Sequence, residues 1–121
     1  MTSPRPGVIL YCFNLDQMVA FYSTCFDGSE VARAESFRSL HLGTLTLHLI
    51  QSDEAKPDGQ PRTETPLKLS LPVGDLDLAS ERVRAGGGQL RGERWRWELD
   101  EHQDVIDPED NVLEMFRRDV E

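Results

Sequence analysis

No apolar run in this chain approaches the ~20 residues that carry a helix across a bilayer; the longest, residues 8–13 (VILYCF), has the length of a strand. The opening residues MTSPRPG hold no apolar segment of the secretory kind, so a cytoplasmic protein is expected. Basic residues are scarce, 13 Lys and Arg against 22 Asp and Glu. The resulting net charge of −9 excludes nucleic acid or an anionic membrane as the main partner, since both require a basic face. Cysteine is confined to Cys12 and Cys25, each in an apolar segment and without C-x-x-C spacing. That pattern reads as a reduced, buried pair rather than a disulfide or a zinc site. A G-x-G-x-x-G loop, a P-loop and a Ser-His-Asp order are also absent. The Gly86-Gly87-Gly88 run follows a helical pattern and precedes none, so it ends a helix and cradles no phosphate.

What is present is an ordinary globular composition, 38% apolar and 29% charged over 121 residues, enough for one domain with a real core. Residues 7–13 alternate, with Val8, Leu10 and Cys12 on one face and Ile9, Tyr11 and Phe13 on the other. A strand apolar on both faces is expected to be covered on both. Asn14 is placed to cap a helix and Asp16 to complement its first turn. Leu15, Met18, Val19, Tyr22 and Phe26 then recur at helical spacing until Asp27-Gly28. Short strands are expected over 31–37, 38–42 and 44–50, and a solvated connector over 51–65, QSDEAKPDGQPRTET.

The order then restarts. Leu67, Leu69 and Leu71 alternate as a strand, Asp75 caps a helix carrying Leu76, Ala79 and Val83, and strand patterns return at 89–90, 94–99 and 104–116. A shift of 59 residues lays Leu67, Leu69 and Leu71 on Val8, Leu10 and Cys12, Asp75 on Asp16, and Gly87 on Gly28. We read a duplicated βαβββ module within a single domain, residues 1–121: module one over about 7–50, module two over about 66–117.

The segment 104–116, DVIDPEDNVLEMF, is the most informative. Asp107 and Pro108 suit the first positions of a type I turn, and Asp110 and Asn111 tolerate the left-handed conformation that leaves it. Leu113 and Met115 then face one side of a strand, and Val112, Glu114 and Phe116 the other. A carboxylate at Glu114 stands either at a wet sheet edge or inside a cavity that uses it.

The duplicated plan, the helix segment NLDQMVAFY (Asn14 to Tyr22), the glycine run at 86–88 and, above all, DPEDNVLEMF at 107–116 resemble the vicinal oxygen chelate superfamily. That group contains glyoxalase I, the bleomycin-resistance proteins and the extradiol dioxygenases. Its usual turn is Asp-Pro-Asp-Gly-Asn; here Asp110 stands where Gly is common. The resemblance covers nearly the whole chain and implies an α+β fold. Two βαβββ modules would form a curled, mostly antiparallel sheet, with helices outside and a concave ligand cavity that homodimerisation completes. It also implies four metal positions, one on the first and one on the last strand of each module. Alignment on Phe21-Tyr22 puts the first of these on Gly7 and the 59-residue shift puts its mate on Pro66, neither with a donor side chain; on the last strands, alternation leaves His48 and Glu114 in equivalent places.

Shared fold does not fix chemistry. The expected function is a small-molecule-binding protein of the glyoxalase/bleomycin-resistance type, without a cofactor, taking a small organic ligand. Trp95 and Trp97 share one face of a strand and offer two indoles to a flat ligand, and Phe37 and Phe116 stand to line the cavity from facing strands. Core or dimer-interface positions are the competing reading for both indoles. The alternative function is a lyase, isomerase or dioxygenase in which His48 and Glu114 are catalytic and weakly hold Fe, Mn, Ni or Zn. As a metal-free pair they could instead move a proton. His41 and His102 read as surface or structural histidines.

Overall fold

In the computed structural model, which describes residues 5–63 and 66–118, a strand, a helix and three strands follow one another twice. Module one comprises β1 (Gly7–Cys12), α1 (Leu15–Cys25), β2 (Ser29–Ala34), β3 (Phe37–Leu42) and β4 (Leu45–Gln51). Module two comprises β5 (Ser70–Pro72), α2 (Leu76–Ala85), β6 (Gln89–Trp97), β7 (Asp100–Ile106) and β8 (Val112–Arg118). Connector residues 64 and 65 lie outside the described set. Two four-stranded mixed sheets result, ordered β1-β4-β3-β2 and β5-β8-β7-β6. In each, the first and last strands of the module pair in parallel and the other neighbours antiparallel. The matching strand orders bear out the α+β duplication. Among the described residues, no helix is long and apolar enough to cross a membrane.

Local chemistry sets the element ends. The Asn14 side chain accepts the Gln17 N–H and Asp75 accepts that of Leu78, each satisfying a donor that the first helical turn leaves free. Helix α1 buries Leu15, Met18, Phe21, Tyr22 and Cys25; α2 buries Leu76, Ala79, Ser80 and Val83. These pack on Cys12, Leu47 and Leu49 in one sheet and Leu71, Val105, Leu113 and Met115 in the other, as one continuous core.

Three expectations need correction. The first β-turn of module one falls at Glu35-Ser36, so Phe37 opens β3 instead of closing the strand before it. The strand read from Leu67, Leu69 and Leu71 shrinks to Ser70–Pro72. The register Ser70↔Glu114 would set Lys68 against Val112, the first residue of β8, so Leu67 overruns the ladder and is 82% exposed. Finally, β1 is covered on one face only. Cys12 is buried and Val8 and Leu10 pack against the core, while Ile9 and Tyr11 are more than half exposed.

The motifs that carried the resemblance meet at the seam between the modules. A Cβ on Gly88 would lie 2.6 Å from the Ile106 carbonyl oxygen and 2.7 Å from Phe21 Cε1, so only glycine lets α1 approach the end of α2. Tyr22 donates to Asp107 Oδ2 at 2.7 Å. Asp107 also accepts the backbone N–H groups of Glu109 and Asn111 and the Asn111 side-chain amide. Glu109 reaches back to the start of α1 and accepts the N–H of Phe13 at 2.7 Å and of Asn14 at 2.5 Å. Both carboxylates are 2% exposed. Asp110, at φ 69°, leaves the turn in the left-handed conformation its position demands. The connector is fastened to the same turn: the Arg62 N–H donates to the Asp110 carbonyl, its guanidinium to those of Glu109 and Ala55, and the Gly59 N–H to the Asp110 carboxylate.

Candidate functional site

With helices packed on one face of each sheet, the opposite face is left for chemistry. Strand alternation places Glu114 and Phe116 of β8 on the helix-free face of module two. Pairing extends that face outward. Asp104 lies opposite Glu114, His102 opposite Phe116, and Trp95 opposite His102, while Ser70 of β5 flanks Glu114 from the other side. The two-residue turn at Glu98-Leu99, with Glu98 at φ 56°, closes the β6–β7 hairpin and sets Trp97 against Asp100 on the same face.

The polar centre is a carboxylate with two donors. Ser70 Oγ donates to Glu114 Oε1 at 2.6 Å, and His102 Nδ1 lies 3.2 Å from the same oxygen. The imidazole sits in an aromatic stack, 5.2 Å from Trp95 at an interplanar angle of 11° and 5.9 Å from Phe116 at 29°. Trp97 lies 6.4 Å away, tilted by 40°. Beside this stack is a recess of about 430 Å³ lined by Arg62, Lys68, Arg91, Trp95, Asp104 and Val112, among others. Within it Lys68 pairs with Asp104 at 2.7 Å and its ammonium lies 5.7 Å over the Trp95 ring.

Four of the candidate residues, Glu114, Trp95, Trp97 and Phe116, thus share one surface around His102. His48 and Phe37 lie on the corresponding face of the other sheet, where His48 Nδ1 is 2.8 Å from Ser39 Oγ. Among the described residues no hydrogen bond, ion pair or ring contact links them to the Glu114 group. A Cβ at Gly7 would stand 3.1 Å from His48 Nε2, so a residue with a donor side chain there would have adjoined the imidazole; glycine brings none. No cluster of three His, Cys, Asp or Glu side chains suited to a metal forms among the described residues. The described residues of one chain therefore do not assemble a complete four-ligand cage.

Sequence reasoning passed over His102 and Ser70. The signal for His102 was in the hairpin: a turn at 107–110 pairs residue 104 with 114 and 102 with 116, and so places His102 one ladder step from Glu114. Ser70 depended on the parallel β5–β8 register, for which the local sequence carries no marker.

A family model described as the Glyoxalase/Bleomycin resistance protein/Dioxygenase superfamily matches residues 6–115. Among solved structures, a glyoxalase/bleomycin resistance protein/dioxygenase family enzyme from Burkholderia phytofirmans PsJN is similar with a TM-score of 0.75 at 19% identity, over 93% of this chain and 96% of that one. The genomically encoded fosfomycin resistance protein FosX of Listeria monocytogenes is similar with a TM-score of 0.75 at 17% identity, over 99% and 97%. A mutant of that protein complexed with Mn(II) and 1S,2S-dihydroxypropylphosphonic acid gives 0.73 at 17% identity, over 95% and 90%. At these identities the likeness is one of fold. No curated protein matches the chain significantly.

Proposed function

This chain belongs to the glyoxalase/bleomycin resistance protein/dioxygenase superfamily, and from that premise we propose that it binds a small, flat organic molecule on the helix-free face of module two, in a cavity completed by a second copy of the chain. The observation that carries the reading is the convergence of Glu114, Trp95, Trp97 and Phe116 around one imidazole. An apolar, stackable wall with a few fixed polar groups is what a pocket for a flat organic ligand requires. Ile9, Tyr11 and Trp97, exposed by 56%, 58% and 67%, support a partner copy over this side of the sheets. Gly7 and Pro66, without donor side chains, support binding that does not depend on a complete metal site.

The test is a thermal-shift screen of aromatic small molecules against the wild type and Trp95→Ala, with light scattering for the oligomeric state. A ligand that raises Tm in the wild type and not in the variant is the expected result. A monomer at all concentrations, or shifts indifferent to Trp95, would sink the proposal. The second reading, a metal-dependent lyase, isomerase or dioxygenase, is favoured by His48 and Glu114 standing on the last strand of each module. Stoichiometric Fe, Mn, Ni or Zn in protein purified without chelator, lost in both His48→Ala and Glu114→Ala, would establish it in place of the first.

A further inference from the structure

Both donors of the site, Ser70 Oγ and His102 Nδ1, converge on one oxygen, Glu114 Oε1. A carboxylate only accepts, so in the neutral imidazole the proton resides on Nδ1, facing it, and Nε2 carries the lone pair. That second nitrogen is buried and has no hydrogen-bond partner among the described residues, in a residue only 6% exposed. Buried polar atoms are nearly always paired, and an unpaired one costs free energy that the fold must recover elsewhere. Everything else about this ring is fixed: its tautomer by Glu114, its plane by Trp95 and Phe116. An acceptor held this rigidly, and left without a donor, is a preorganised contact for one that arrives from outside.

We propose, building on the ligand-binding reading above, that His102 Nε2 is the hydrogen-bond acceptor that selects the ligand, and that the ligand is a flat aromatic molecule carrying an O–H or N–H donor. The ligand ring joins the aromatic wall and its donor meets Nε2. Trp97, 67% exposed and tilted against the imidazole, is the ring that moves aside to admit it; Trp95 and Phe116 stay as the faces of the stack. Ser70 and Glu114 serve His102 as positioning residues, since they hold the proton on the far nitrogen.

Two probes separate this role from simple aromatic packing: 2-naphthol and 2-methoxynaphthalene, which share a ring system and differ in the O–H. Both are titrated against the full-length protein by calorimetry, and the histidine side-chain ¹⁵N resonances are recorded with each. The wild type should prefer 2-naphthol by about fivefold, the worth of one net hydrogen bond. His102→Phe keeps a ring for stacking and removes both nitrogens, so it should bind the two probes equally. In unliganded wild type the His102 proton should be found on Nδ1, and 2-naphthol alone should shift the Nε2 resonance; this arm requires no variant to fold. Equal affinity of the wild type for both probes, or a proton on Nε2, overturns the role of His102 and leaves the aromatic-cavity reading standing. Binding of neither probe overturns both.

Discussion

Glu109 offers the sharpest test of how the two modules are joined. Each oxygen of its buried carboxylate takes one backbone N–H from the entrance to α1, Phe13 at 2.7 Å and Asn14 at 2.5 Å. Hydrogen bonds to a charged acceptor contribute ~1.5–3 kcal/mol apiece, so the pair could reach ~6 kcal/mol. The donors lie on residues that are themselves exposed, Phe13 at 39%, so water enters the space emptied by truncation and the lower end applies. Glu109→Ala should therefore cost about 3 kcal/mol, or about 10 °C in Tm for a domain of this size. Removing one negative charge from a chain of net charge −9 eases self-repulsion and works slightly against that loss. Glu109→Gln separates charge and acceptance from shape: its amide NH₂ must face one of the two N–H groups, so about 1–3 kcal/mol should still be lost. Equilibrium urea unfolding, followed by far-UV circular dichroism and by tryptophan fluorescence, measures both. The indoles lie in module two and the clamped helix in module one, so coincident transitions would show that the modules unfold together. Stability of Glu109→Ala within about 0.5 kcal/mol of wild type, or full rescue by Gln, would refute the clamp.

Other expectations follow from the same packing. Gly88→Ala should cost about 2–3 kcal/mol, because its Cβ would stand 2.6 Å from a backbone oxygen; Gly74→Ala, with nothing within 4 Å, should stay within ~0.5 kcal/mol in the same thermal melts. Burial pushes the Cys12 thiol from 9.0 up to about 12 and Cys25 up to about 11, and nearby Glu109 and Asp107 add to the rise at Cys12. The folded chain thus keeps protons that the unfolded chain releases. Stability from these thiols is complete below pH 9 and falls by about 1.4 kcal/mol per unit for each as pH rises from there, toward about 11 for Cys25 and about 12 for Cys12. Cys12→Ala should flatten that alkaline decline in urea midpoints, and an unchanged slope would show that Cys12 plays no part. Tyr22→Phe removes the hydroxyl donor to Asp107 and should cost ~1–3 kcal/mol at pH 7. Burial already raises the Asp107 pKa above 3.8, against hydrogen bonds from Asn111 and Tyr22. The wild type gains stability from that group below its unfolded value and loses it as pH climbs through the folded one. The deficit of Tyr22→Phe should therefore shrink as pH falls and Asp107 protonates; a deficit constant with pH would contradict this.

What the sequence made legible is what depends on neighbours along the chain. Asn14 and Asp75 cap helices because the donors they satisfy lie three residues away, and Asp110 leaves its turn left-handed because the turn itself requires it. The alternation of residues 112–116 put Glu114 and Phe116 on one face, as found. The burial of Asp107 and Glu109 was not legible. Their partners Tyr22, Phe13 and Asn14 lie 85 to 96 positions away, and a carboxylate in a turn reads locally as a solvated cap. Nor was the shortness of β5, since three alternating leucines promise a longer strand than the β8 ladder can pair. His102 is the intermediate case. Its side chain gave no sign of a role, yet the hairpin turn two steps beyond its strand already fixed what it would face.

This division explains why the recognisable motif says so little about chemistry. In DPEDNVLEMF, the carboxylates of Asp107 and Glu109 and the alternating Leu113 and Met115 are spent on the seam and the core, and these surfaces must be kept if two modules are to share one core. Asp110 holds the connector at Gly59, and Glu114 stands on the helix-free face of the sheet. Its hydrogen-bond partners lie outside the motif, Ser70 on a three-residue strand and His102 on β7, and Trp95 of the mostly exposed β6 stacks on that histidine. Changes at those positions leave the seam untouched, so the same fold can hold a metal cage in one chain and an aromatic wall around an imidazole in another. On the proposed reading, the discriminating residue of this chain is not the glutamate that the motif announces but the histidine stacked beside it.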